Sequence, residues 1–176
     1  MHFTKTELPD AWLIELDLKS DSRGYFARTF CEKAFDENRL NTRFVQHSTS
    51  FSKNRGTLRG MHYQKAPHSE IKVVRCVRGA IYDVIIDLRP DSPSLHNWIG
   101  FELSQENGRQ LYVPQGFAHG FQTLTNDVEV HYLISEFYNP SASTGVRFDD
   151  PAFAIDWPVE VSEISERDRA WPFFFK

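Results

Sequence analysis

Apolar and β-branched residues come in short runs separated by turn residues. Ile71–Val77 and Ala80–Leu88 are two such runs either side of Gly79, and their spacing predicts a hairpin or closely sequential strands. Trp98–Leu103, Arg109–Val113, Phe117–Leu124 and Val128–Ile134 continue the series, punctuated by the cluster Arg89–Ser94 and by Pro114-Gln115-Gly116. Upstream, Ala11–Leu18 and Tyr25–Phe30 read as extended, with a turn at Asp21–Gly24. Cys31–Leu40 is the best short helix candidate, and Ser50–Gly56 reads as a loop. After residue 138 prolines and acids break the pattern, and Ser162–Arg169 is expected to form one or two helical turns. Many short strands without strand–helix alternation predict an all-β sandwich or barrel.

Composition narrows this picture. The 176 residues are 40% hydrophobic, enough for one domain over residues 1–176 and too apolar for general disorder. The formal charge of −4, with both signs scattered, argues against a nucleic-acid-coating surface while leaving room for a local basic pocket. Cys31 and Cys76 form no CxxC pair, so neither a zinc knuckle nor a dithiol site is indicated. The first residues carry no apolar leader, and no run reaches the roughly 20 apolar residues that span a bilayer. A cytoplasmic protein without membrane attachment is expected. The 15 phenylalanines are expected mostly to fill the core.

Polar groups interrupt the strands. In Arg59-Gly60-Met61-His62-Tyr63-Gln64, period two puts His62 and Gln64 on one side and Met61 and Tyr63 on the other. Lys72, Asp83, His119 and Tyr132 each sit within an apolar run. Singly, each has an ordinary role as a hydrogen-bonding, edge, turn or packing residue. Together they offer two chemistries. His62, His119 and His131 with carboxylates could ligate a metal, but there is neither a His-x-His pair nor an HExxH segment, and the metal-free reading is preferred. Alternatively, a histidine oriented by a carboxylate removes a proton, a lysine stabilises oxyanion charge and a tyrosine returns a proton. That set suits enolate chemistry beside a carbonyl and needs no cofactor. Arg23, Arg59 and Lys72 could meet an anionic ligand.

Several of these segments resemble, in order, the dTDP-4-dehydrorhamnose 3,5-epimerase family. They are Asp21–Phe26 (DxRGxF), Arg59–Gln64 (RG-[LM]-H-[FY]-Q), Lys72–Gly79, Asp83–Arg89, Pro114–Phe121 (P-x-GFAHGF), Tyr138-Asn139-Pro140, Asp149-Asp150-Pro151 and Ile164–Asp168. The resemblance implies a cupin-like jelly roll with short peripheral helices, a homodimer, and epimerisation at C3 and C5 of a dTDP-linked 4-keto-6-deoxy sugar without metal or organic cofactor. It implies His62 as general base, Asp168 as its carboxylate partner, Lys72 as enolate stabiliser and Tyr132 as general acid. Asp83 is expected to organise Lys72 and the interior, and His119 to border the substrate. Arg23, Phe26 and Arg59 are expected to meet the nucleotide, some of them across the dimer interface. Arg28, Gln46, Ser48 and Tyr138 complete the expected substrate contacts.

Two departures stand out. His47-Ser48 replaces the family's Asp-Asn after Gln46, and Ala27-Arg28 replaces x-Glu after Phe26. The second reverses local charge, which could change the base, the sugar substituent or a dimer contact. A mono-epimerase acting at C3 or C5 alone is the nearest alternative. A ketoisomerase, a non-catalytic sugar-binding cupin and a metal-dependent cupin oxygenase are more distant ones.

Overall fold

The computed structural model describes residues 1–174. Two antiparallel sheets face each other. The first runs β1(His2–Lys5), β2(Trp12–Glu15), β10(Arg109–Val113), β7(Lys72–Arg78), β12(Val128–Ile134), β5(Gln46–Ser52) across its width. The second runs β13(Ser143–Gly145), β6(Thr57–Gln64), β11(Phe117–Thr123), β8(Ala80–Asp87), β9(Trp98–Ser104). β14(Glu163–Ile164) adds to β6 in parallel, and β3(Lys19–Asp21) with β4(Gly24–Phe26) forms a separate hairpin. Helices are limited to α1(Glu32–Glu37) and α2(Glu166–Arg169) among the described residues. This is the expected all-β, cupin-like sandwich.

The runs either side of Gly79 do not make a hairpin. β7 pairs with β10 and β12, whereas β8 pairs with β9 and β11 in the other sheet. Gly79, at φ +75°, carries the chain across, and a Cβ there would collide with Thr125 and Val128. The same exchange of sheets occurs between β5 and β6, β9 and β10, and β11 and β12. Inward faces therefore come from strands far apart in sequence. Ser50–Ser52 also departs from expectation, since it ends strand β5 and only the following residues form the loop.

Three apolar clusters follow from the alternation. Val74, Cys76, Ile81, Ile85, Leu111, Phe117, Phe121 and Val130 pack between the sheets. Met61, Val84, Ile86 and Ala118 face outward from the second sheet, where Val146, Phe153 and Trp157 cover them. On the outside of the first sheet, Ile14, Val73 and Tyr112 are covered by Phe30, Phe35 and Phe44. Phe35 meets Phe3, Phe30 and Phe44 in edge-on ring contacts. Much of the phenylalanine excess is thus spent on covering a sheet. No helix among the described residues is long and apolar enough to cross a membrane.

Candidate active site

The site lies between β6 and β11 of one sheet and β12 of the other. β6 and β11 approach too closely for side chains at Gly60 and Gly120. Gly60 has φ +142°, and a Cβ on it would lie 2.5 Å from the Gly120 Cα. The pairing register shifts beside this crossing, between His119 and Phe121, and His62 pairs directly with His119. Met61 packs outward and His62 faces the interior, as period two predicts.

The carboxylate beside His62 arrives from the far end of the chain. β14 aligns Ile164 with Leu58, and Ser165 then caps α2, its Oγ accepting from the Asp168 amide at 3.1 Å. Asp168 Oδ1 lies 2.5 Å from His62 Nε2, and Oδ2 accepts from the Gly60 amide at 3.3 Å. The Trp171 indole N–H donates to Oδ1 at 3.3 Å. Burial pushes the Asp168 carboxyl up, but hydrogen bonds and charge from His62, with the Gly60 amide and Ser165, outweigh it and leave the group below its ordinary value. An ionised Asp168 assigns the proton to His62 Nε2 and leaves Nδ1 as the acceptor. The Asp168 side chain is 6% exposed and that of His62 is 41% exposed, so the orienting group is covered while the imidazole is open.

Tyr132 approaches from β12 in the opposite sheet. Its hydroxyl lies 2.9 Å from Ser50 Oγ, and its ring meets His119 edge-on at 6.4 Å between centroids. Burial raises the phenol strongly, the charge of Asp83 adds to this, and the Ser50 hydrogen bond acts against it. Tyr132 is therefore a protonated phenol at neutral pH. His62, His119, Tyr132, Arg59 and Asp168 line one cavity of about 670 Å³. Arg59 is braced at its rim, donating from Nε to Ser52 Oγ at 3.0 Å and from an Nη to the Phe51 carbonyl at 2.9 Å.

A second cavity of about 230 Å³ also contains His62, and it holds Lys72, Gln46 and Tyr138. The Lys72 ammonium pairs with Glu70 at 2.8 Å. Gln46 accepts from the Tyr138 amide at 2.8 Å. The exposed Tyr138 phenol is lowered by a hydrogen bond from Arg167, with a smaller contribution from Ser143.

Other sequence candidates lie elsewhere. Asp83 is fully buried and does not line the cavity, and its partner is His119 rather than Lys72, at 2.7 Å from Oδ1 to Nε2. The alternation of β8 turns Asp83 inward with Ile81 and Ile85, and β11 lies directly alongside. Arg23 and Phe26 are on the exposed β3–β4 hairpin, where Arg23 is occupied by Asp21. Phe26 and Arg28 border a small separate pocket with Asp17 and Lys19. His47 borders a groove on the outer side of the first sheet, beside Arg75, whereas Ser48 pairs directly with Tyr132 and shares its inner face. Arg28 and His47 thus lie away from the central cavity, while Ser48 stands beside Tyr132 on the inner face of its sheet. His131 borders that same groove and pairs with Glu129 at 3.0 Å, so His62, His119 and His131 do not converge. No cluster of three His, Cys, Asp or Glu suited to a metal occurs among the described residues.

Sequence reasoning missed Ser50, Glu70, Arg167 and Trp171. Ser48, Ser50 and Ser52 alternate with Thr49 and Phe51, which is a strand pattern that the loop reading overlooked. Glu70 stands two residues before Lys72, a spacing that puts both on one side of an extended chain.

The family model for dTDP-4-dehydrorhamnose 3,5-epimerase matches residues 5–176. The chain belongs to this family. A dTDP-4-dehydrorhamnose 3,5-epimerase from Methanothermobacter thermautotrophicus is 46% identical over 172 residues, covering 96% of this chain and 92% of the relative. The Bacillus anthracis dTDP-4-dehydrorhamnose 3,5-epimerase, solved with TDP and PPi bound, superposes at TM-score 0.95 with 42% identity, covering 98% of each chain. A 3'-monoepimerase from Streptomyces bikiniensis, in complex with dTDP-quinovose, superposes at 0.89 with 32% identity, covering 95% of this chain and 85% of that one. Membership of the epimerase family therefore extends along nearly the whole chain.

Proposed function

We propose that this epimerase inverts C3 and C5 of dTDP-4-dehydro-6-deoxyglucose, giving dTDP-4-dehydrorhamnose through an enolate. The observation that carries the reading is a histidine–carboxylate pair and a protonated phenol lining one cavity from opposite sheets. Inversion requires a proton to leave one face of the carbon and another to arrive on the opposite face. A base alone would tend to restore the original configuration.

In this mechanism His62 Nδ1 takes the proton from the carbon next to the C4 ketone. The C–H electron pair becomes the C=C bond, and the carbonyl pair moves onto O4. Asp168 holds the imidazole in the required tautomer and stabilises the imidazolium that forms. Lys72 donates to the enolate oxygen. Tyr132 gives its proton to the opposite face, the C=C pair takes it, and the C4 carbonyl re-forms. Between C3 and C5 His62 releases its proton to solvent, Tyr132 regains one from solvent, and the sugar changes pose or pucker so that each carbon meets the same pair in turn.

Arg59, at the cavity rim, is assigned to the diphosphate, a role that suits its donor fork. His119, held by the buried Asp83, borders the sugar, and Gln46 with Tyr138 lies on the Lys72 side. The exposed hairpin carrying Arg23 and Phe26, with Arg28 just beyond it, is assigned to the nucleotide held by a second copy of this chain. A homodimer is part of the proposal for that reason. A substrate of this class places the work in the cytoplasm.

The test is turnover of dTDP-4-dehydro-6-deoxyglucose in deuterated water, read by NMR. Deuterium at both C3 and C5 with both centres inverted is the expected result. Exchange at both carbons with a single inverted centre would instead establish a mono-epimerase, the activity named for the Streptomyces bikiniensis neighbour. No exchange at either carbon would overturn the enolate route.

A further inference from the structure

The Lys72 ammonium is paired before any substrate arrives. Its partner is the Glu70 carboxylate at 2.8 Å, and each side chain is only 12% exposed. Both face the smaller cavity, where His62, Arg167, Tyr63 and Tyr138 supply the other charged or titratable side chains and Gln46, Gln64 and Ser143 add polar groups. The backbone between the pair is anchored to the end of β12. The Ile71 amide donates to Ser135 Oγ at 2.8 Å, and the Ser135 amide donates to the Ile71 carbonyl at 3.0 Å. Glu70 therefore stands on a fixed segment, while lysine has a flexible four-carbon stem and three equivalent donors. A carboxylate that occupies one N–H restricts the stem and leaves two for another acceptor.

We propose that Glu70 is a positioning residue that aims the Lys72 ammonium toward the oxygen on which enolate charge gathers. This rests on the reading of Lys72 as the enolate stabiliser. Glu70 touches no reacting atom and acts through Lys72 alone. Its effect is greatest when charge has developed on O4, so it belongs to kcat rather than to ground-state binding.

The test compares Glu70→Gln, Glu70→Asp, Lys72→Met and the Glu70→Gln/Lys72→Met pair, using steady-state rates with dTDP-4-dehydro-6-deoxyglucose and a thermal melt of each variant. Glu70→Gln is expected to lower kcat by about 10- to 100-fold with KM within about threefold of wild type. Glu70→Asp keeps the carboxylate but shortens its reach, and it should recover part of that loss. The double variant should be no slower than Lys72→Met, because the two residues act as one unit. A wild-type kcat in Glu70→Gln, or losses that multiply in the double variant, would overturn the proposal. If Glu70→Gln does not fold, a wild-type kcat in Glu70→Ala, which also removes the carboxylate, overturns it equally. The two readings separate cleanly. Lys72→Met at the wild-type rate removes the role of Lys72 and that of Glu70 with it, whereas a slow Lys72→Met beside a wild-type Glu70→Gln removes Glu70 alone.

Discussion

At the scale of single residues, the proposed chemistry depends on which nitrogen of His62 is free. Asp168 takes Nε2, and its own position is set by the Gly60 amide, the Ser165 cap and the Trp171 indole. Asp168→Asn keeps the shape but offers an amide where an acceptor is needed, so the imidazole loses its partner for the charged form. We expect kcat to fall on the order of 10²- to 10⁴-fold with the thermal melt little changed, as measured by steady-state rates and calorimetry. Tyr132→Phe removes a different proton. Its enolate still forms, so deuterium should continue to enter from the His62 face while inverted product falls by roughly 10²-fold. NMR of the recovered substrate and product separates the two quantities, and an unchanged product rate would exclude Tyr132 as the acid. His62 and Tyr132 stand out in the sequence because a polar side chain inside an apolar strand is costly without a partner, whereas Asp168 was reached only through the family resemblance. The partners were less legible. Asp83 was expected to serve Lys72, but pairing across adjacent strands gives it to His119, and Lys72 takes a neighbour two residues away.

At the scale of elements, the strand runs were read well because alternation is local. The pairing of β7 and β8 was not, since a glycine between two strands is equally consistent with a hairpin and with a crossing between sheets. The turn after β8, which leads to β9 in the same sheet, shows how a connection between strands is secured. Asp87 accepts from Arg89, Ser92 and Ser94, and Arg89 also reaches Asp10 and the Pro9 carbonyl. Burial pushes the Asp87 carboxyl up, but the Arg89, Ser92 and Ser94 hydrogen bonds overcome this and bring it to about 2. A carboxyl depressed on folding stabilises the native state above its unfolded value near 4, and that contribution disappears as pH falls toward 2. It amounts to roughly 2 kcal/mol. Asp87→Asn should therefore be less stable at pH 7 and should lose about that much less stability than wild type between pH 5 and pH 2. Urea unfolding at the two pH values measures the difference.

At the scale of the whole molecule, the two sheets enclose His62, His119 and Tyr132, while the hairpin bearing Arg23 and Phe26 stays exposed. Tyr25, Phe26 and Phe51 add exposed aromatic surface on the same chain. If the hairpin completes the nucleotide site of a second copy, sedimentation equilibrium should give twice the 20.5 kDa chain mass. Arg23→Ala should then raise KM about tenfold with kcat nearly unchanged, as the loss of a charge-assisted hydrogen bond to a phosphate would do. A monomer with full activity would refute this arrangement.

The sequence by itself determined the class of fold, the inward and outward faces of most strands, and the polar side chains that interrupt them. Each of these depends on alternation and composition within a few neighbouring positions. Tertiary structure decided which polar groups meet. Asp168 reaches His62 only because β14 joins β6 and a serine cap turns the next residues inward. Tyr132 faces that pair only because successive strands exchange sheets. Contacts between residues about a hundred positions apart are set by sheet order and register, which no local pattern encodes.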